Sequence, residues 1–170
     1  MPRVLYISYW GALEQLGQSL VVPAVKRLAN LGAEITLITF EKPQDLARED
    51  EMNRVRKLFE DDKIDWIPLK YHKGIRSTPL DISGGIIHGI LKRLKKRYDI
   101  LHARSFIGGL IGLPLAPLIG AKLVYHNEGF YPDEQVDGGF WGLNSRPHKI
   151  AKYFETKMYS RADGIIALSH

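Results

Sequence analysis

Residues 3–40 read RVLYISYWGALEQLGQSLVVPAVKRLANLGAEITLITF, and their rhythm decides the fold class. Residues 3–9 form a short run rich in aliphatic and aromatic side chains, which suits a strand covered on both faces. From residue 19 to 31 the apolar positions Leu20, Val21, Ala24, Val25, Leu28 and Leu31 recur at helical spacing. Pro23 falls in the first turn, where proline is tolerated, and Gly32 is the stop. Residues 34–40 repeat the first apolar run. A strand, a helix and a second buried strand make one parallel crossover unit.

The pattern continues outward. Residues 45–61 are a charged helix with one apolar stripe, Leu46, Met52, Val55, Leu58 and Phe59. Residues 63–69 (KIDWIPL) are a third strand, put at an edge by Pro68. A loop at 71–79 leads to a helix at 80–97, apolar first and basic last. Residues 99–103 (DILHA) and 122–126 (KLVYH) are strands flanking the apolar segment 106–120, FIGGLIGLPLAPLIG. That segment is shorter than the roughly 20 residues of a membrane span and is broken by Pro114 and Pro117, so it reads as a helix buried against the sheet. A long Gly-rich loop at 127–147, a helix at 150–161 and a last strand at 164–168 complete the chain. The alternation predicts an α/β fold, a doubly wound parallel sheet of Rossmann-like type with order 3-2-1-4-5-6. Val4, Leu5, Ile38, Val124, Ile165 and Ile166 are expected inside it.

Composition narrows the function. At 170 residues the chain suits one domain. Its 45% hydrophobic and 25% charged residues exclude global disorder, collagen and a pure coiled coil. The absence of cysteine excludes disulfide scaffolds, cysteine-ligated zinc or iron–sulfur sites and thiol catalysis, and is compatible with a reducing cytoplasm. A net charge of +5 suits an anionic partner: nucleic acid, a phosphorylated substrate or an anionic membrane surface. The opening MPRVLYISY is too short and too strand-like for a signal peptide.

In an open parallel sheet ligands bind at the carboxyl ends of the strands. The first such loop has Gly11 and Gly17 but neither G-x-G-x-x-G nor a P-loop, which argues against a nicotinamide enzyme. Gly17, Gln18 and Ser19 are read at a helix N-terminus, either as an anion cradle or as a plain turn and cap. His126 ends the fifth strand and points to the crevice or packs as a structural histidine; His102, between Leu101 and Ala103, reads as packing. No H-E-x-x-H or G-x-S-x-G is present, and His126 with Glu128 lacks the cysteines of a deaminase zinc site, so no metal is expected. Residues 128–141, EGFYPDEQVDGGFW, combine aromatics with carboxylates. The loop either packs on its own rings or binds sugar, rings stacking on C–H faces and acids accepting hydroxyl bonds. Tyr9, Gly17, Ser105, His126, Glu128 and Asp133 are expected to share one cleft. Lys92, Arg93, Lys95, Lys96 and Arg97 end the fourth helix. They are solvated cations at a helix C-terminus or a contact for anionic lipid; no nucleic-acid motif accompanies them.

Four stretches together resemble the N-terminal domain of GT-B glycosyltransferases, in the retaining family called glycosyltransferase group 1 or family 4-like. They are VLYISY with GQSLVVPAVKRLANLGAEITLITFE, then YDILHARS, AKLVYHNEGFYPDEQVDGGFW and KYFETKMYSRADGIIALSH. The resemblance spans nearly the whole chain. It implies two Rossmann-like domains with the active site between them. The N-terminal one holds the acceptor, and the C-terminal one holds the nucleotide sugar and an acidic E-x7-E-type motif. Residues 1–170 then correspond to the acceptor-side domain, with the donor-binding domain absent and the chain inactive alone. Gly17 matches the glycine that approaches the donor phosphates, although Leu16 replaces its usual glycine neighbour. His126 matches an acceptor-site histidine and is the expected catalytic residue, hydrogen-bonding the sugar near the reacting carbon without acting as a nucleophile, and Glu128 stands where relatives would place arginine. The implied activity is sugar transfer with retention from a nucleotide sugar to a glycan or lipid-linked acceptor, without a cofactor. The implied setting is cell-envelope or exopolysaccharide synthesis, in the cytoplasm or at the inner face of the membrane. The alternative is a non-catalytic Rossmann-like binding domain.

Overall fold

The computed structural model describes residues 1–74 and 76–167. These form six strands, β1 (Arg3–Ser8), β2 (Glu34–Glu41), β3 (Asp65–Lys70), β4 (Ile100–Arg104), β5 (Lys122–Asn127) and β6 (Gly164–Ala167). The helices are α1 (Val22–Asn30), α2 (Pro43–Leu46), α3 (Glu49–Asp61), α4 (Thr78–Lys95), α5 (Ser105–Ile119), α6 (Tyr131–Asp137) and α7 (Arg146–Arg161). All strand pairs are parallel, in the expected order β3-β2-β1-β4-β5-β6.

Strand alternation divides the core. Val4 and Tyr6 of β1 with Ile35 and Leu37 of β2 pack against Val25 of α1 and Phe59 of α3. On the opposite face Leu5, Ile7, Ile38 and Leu101 meet Ile111 and Leu115 of α5. A satellite cluster joins Phe106, Tyr125 and Met158.

Several expectations are corrected. The stretch 127–147 is not one loop, because α6 forms within it, opened by Pro132 in its first turn. The charged helix at 45–61 is two helices, α2 and α3. Pro114 and Pro117 do not break α5. Both stand on its exposed side, where carbonyls left without a partner meet water. Ile165 and Ile166 are exposed at 49% and 41%, since β6 is an edge strand paired only with β5. Val124 is half-buried. The last strand was expected to reach Leu168; residues 168–170 lie outside the described part.

The segment after β1 is held by close backbone approach. A π-helical turn (Gly17–Val21) runs directly into α1. A Cβ on Gly17 would stand 1.7 Å from the Gly11 carbonyl oxygen, and one on Gly11 would stand 2.4 Å from Glu41 Oε2. Only glycine lets these two backbone segments touch. Gly17→Ala is expected to lower the unfolding free energy by about 1–3 kcal/mol, the scale of overpacking a filled core, as read from urea denaturation.

Candidate functional site

The winding of the sheet reverses between β1 and β4, and there a cavity of about 760 Å³ opens at the carboxyl ends of the strands. Trp10, Phe40 and Tyr71 form one wall, and Tyr131, Phe140 and Trp141 the other. Tyr9 and Ser105 lie between, with Glu14, Lys42, Glu128 and Glu134 as charged groups at the lining. The second wall is built by its own aromatics: Tyr131 stacks on Phe106 with centroids 4.7 Å apart and meets Trp141 edge-on. Ser105 holds φ +66°, the left-handed region where a side chain costs roughly 1 kcal/mol or more. Strain of this kind collects at functional sites.

Tyr9 is fixed from below. Its hydroxyl donates to Asp81 Oδ2 at 2.7 Å; Asp81 is buried in the first turn of α4 and also meets the His72 amide and ring. Burial first, and then the Asp81 hydrogen bond, push the Tyr9 phenol well above its usual range. Tyr9 therefore acts as a neutral donor and an aromatic surface.

The loop after β1 is organised by Glu41. Its carboxylate is fully buried and accepts the amides of Ala12 at 2.7 Å and Leu13 at 3.1 Å, together with the Thr39 hydroxyl. Burial pushes this carboxyl up, and the three donors pull it back. The Gly11 amide donates to Glu14 Oε1 at 3.0 Å, and Lys42 pairs with the same carboxylate. The amides of Gly11, Ala12 and Leu13 are thus occupied by the chain's own acids. This corrects the reading of Gly17, Gln18 and Ser19 as a helix N-terminus. The Gln18 amide already bonds to the Glu14 carbonyl, the Gln18 side chain donates to the Ala12 carbonyl, and Ser19 Oγ donates to the Gln15 carbonyl. None of the three lines the cavity.

A polar row crosses β1, β4 and β5 beside the cleft. Arg104, with a side chain only 6% exposed, pairs with Glu128 at 2.5 Å and also approaches the Leu20 carbonyl and the Tyr6 hydroxyl. Trp10 Nε1 donates to the other Glu128 oxygen at 3.2 Å. His102 stacks on Tyr6 at 4.2 Å, and its Nε2 lies 3.3 Å from His126 Nδ1. His126 is half-buried opposite Arg104 in the strand register and does not line the cavity. Burial first, then the charge of Arg104, hold its ring below the usual histidine range. Among the described residues no three His, Asp or Glu side chains converge as metal ligands.

The structure thus brings Tyr9, Ser105 and Glu128 together, and places Gly17, His126 and Asp133 elsewhere. Asp133 faces α7, bonded to Lys152 at 2.8 Å and His148 at 3.3 Å. One and two residues on, Glu134 and Gln135 line the cavity instead, as the roughly 100° step of a helix requires. Sequence reasoning missed Arg104, although an arginine closing a buried strand signals a partner. It also missed Trp10, Glu41 and Asp81, whose partners are far along the chain. The basic run is mostly consumed internally: Lys92 pairs with Asp65, Lys96 with Glu34, and Arg93 Nε donates to the Ile119 carbonyl. Lys95 and Arg97 remain exposed.

A parallel sheet with an aromatic crevice at its switch point defines a domain of the Rossmann-like class. Residues 19–170 match the profile of Glycosyltransferase Family 4, and the chain belongs to that family. No curated protein matches it.

The site carries a pH signature. Burial, then the nearby His126 and Arg104 charges, press His102 from 6.5 down to about 3. The unfolded chain takes up this proton as pH falls through 6.5, whereas the folded chain stays neutral until about 3. Stability contributed by the neutral ring is complete above the unfolded value and is lost as pH falls through that window, by up to about 1.4 kcal/mol per pH unit. His102→Phe keeps a ring against Tyr6 and is expected to flatten this part of the slope in urea denaturation at stepped pH.

Proposed function

We propose that this chain is the acceptor-side domain of an enzyme that transfers a sugar from a nucleotide-sugar donor, with retention, to a glycan or lipid-linked acceptor. The observation that carries the reading is the crevice of about 760 Å³ with aromatic walls and acidic groups at the switch point of the sheet. Pyranose rings present C–H faces that stack on Trp10, Tyr131 and Trp141, while Glu128 and Glu134 accept hydroxyl hydrogen bonds. The Glu128 carboxylate is oriented for this by Arg104 and Trp10. A second Rossmann-like domain supplies the nucleotide-sugar site, since the Gly11, Ala12 and Leu13 amides after β1 are taken by Glu14 and Glu41. No cofactor or metal takes part in this reading.

His126 has a positioning role in the proposal. It lies two residues before Glu128 and is held neutral beside His102, so it orients the strand end by hydrogen bonding and is no nucleophile. The place of action is the cytoplasm, at the inner face of the membrane, in the assembly of cell-envelope or exopolysaccharide glycans.

Octyl glucoside below its micelle concentration is a suitable probe, read by the fluorescence of Trp10 and Trp141. Trp141→Ala is expected to weaken its binding about tenfold, the scale of losing one stacking face, with glucose as the tail-free control. The purified chain is expected to turn over no nucleotide sugar. In a protein carrying both domains, His126→Ala is expected to lower kcat by up to about 10²-fold, the scale of misplacing a binding group by about 1 Å. Saturable probe binding that Trp141→Ala leaves unchanged would remove the crevice as the acceptor site.

A further inference from the structure

Helix α4 is turned inside out. Its buried positions are Asp81, Gly85 and Gly89. A Cβ on Gly85 would stand 2.9 Å from Ile111 Cδ1, and one on Gly89 2.4 Å from Leu115 Cδ2. The small side chains therefore let α4 lie close against α5. Ile82 and Ile86 pack against the core, but the other large aliphatic residues of the helix point away from it. Leu80, Ile87, Ile90, Leu91 and Leu94 are all exposed, Leu94 at 78%. At ~100° per residue these five share an arc of about 100°, interrupted only by Ser83, and the row is about 21 Å long. An ordinary surface helix turns such a stripe toward the core.

Charge surrounds the row. Between Asp65 and Asp99 the sequence holds one carboxylate, Asp81, against eight Lys and Arg. Asp81 is buried and committed to Tyr9 and His72. Lys73 and Arg76 stand before the row and Lys95 and Arg97 after it, all exposed. Among the described residues none of these four is in an ion pair. The exposed arc carries no aromatic residue, whereas protein interfaces are enriched in aromatics, Met and Arg at their centre. An aliphatic stripe with cations at both ends matches the acyl region and the phosphates of an anionic bilayer.

We propose that α4 is an interfacial membrane helix. Its outward aliphatic row inserts at the acyl boundary of an anionic bilayer, and Lys73, Arg76, Lys95 and Arg97 meet the lipid phosphates. The cations that bind lipid are then not Lys92, Arg93 and Lys96, which the fold uses internally. Gly74 and Thr78, at the N-terminal end of this helix, line the cavity. A helix lying flat thus holds the mouth of the crevice at headgroup level, facing a lipid-borne acceptor; this last step rests on the acceptor-side reading above.

The test is co-sedimentation of the chain with vesicles of phosphatidylcholine alone or mixed with phosphatidylglycerol, at low and high salt. Binding is expected to favour the anionic vesicles and to weaken with salt. The combined substitution Ile87→Ser, Leu91→Ser and Leu94→Ser alters exposed positions only. It is expected to lower partitioning by about tenfold or more with an unchanged circular dichroism spectrum. Lys95→Ser with Arg97→Ser is expected to reduce only the anionic preference. Equal binding to both vesicle types, or full binding by the triple variant, would overturn the proposal. So would a dimer in sedimentation velocity that the triple variant abolishes while the parent ignores vesicles, because a second copy would then cover the row. The readout needs no sugar, so its failure leaves the transferase reading standing, and absence of turnover leaves the membrane helix standing.

Discussion

The fully buried carboxylate of Glu41 is the interaction on which the cleft depends. It ends β2 and reaches under the loop that follows β1, where it takes two backbone amides. Those amides have no water to turn to, and an unpartnered buried donor costs roughly 1–3 kcal/mol. Gly11 has no side chain because the carboxylate occupies that space, and Gly17 has none because the Gly11 carbonyl lies against it. Thr39 bonds to Glu41, and Trp66 on β3 donates to Thr39 at 2.8 Å. One acid thus links β2 and, through Thr39, β3 to the loop that carries Tyr9 and Trp10 into the crevice.

A second charge works on the other side of the switch point. Arg104 closes β4 inside the protein, and such a charge is tolerated only when paired and hydrogen-bonded. Glu128 supplies the pair and, by the same contact, fixes the entry of the aromatic wall. Past it, α6 is tied to α7 through Asp133, Lys152 and Glu155. The two walls of the crevice are therefore held by different carboxylates, Glu41 at the end of β2 through hydrogen bonds and Glu128 just past β5 through an ion pair. The row of Tyr6, His102 and His126 lies between them, and its two imidazoles stay neutral because burial and Arg104 both oppose a further positive charge.

Helix α4 shows the cost of building a tight layer from glycine. Gly85 and Gly89 bring α4 onto α5, and five of the large aliphatic side chains of the helix are left on the outside while Ile82 and Ile86 pack inward. The same helix end also buries Asp81 beneath Tyr9, so the arrangement that exposes the aliphatic row shapes the floor of the crevice as well.

The fold was legible in the chain because its signals are local. Apolar runs of residues 3–9 and 34–40, helical spacing between them and Pro68 at the edge depend on neighbours in sequence, and strand order followed from the handedness of crossovers. Tyr9, Ser105 and Glu128 could be placed in the crevice because they follow strand ends. What the sequence could not decide was direction around a helix and partnership at a distance. Whether Asp133 or Glu134 faces the cavity turns on a short helix hidden in a Gly-rich stretch. Whether Lys92 and Lys96 meet solvent turns on Asp65 and Glu34, which lie 27 and 62 residues away. The orientation of α4 depends on α5 being close enough to require glycine between them. Pairings of that kind exist only after the chain has folded, since they are fixed by packing across the sheet and not by spacing along the chain.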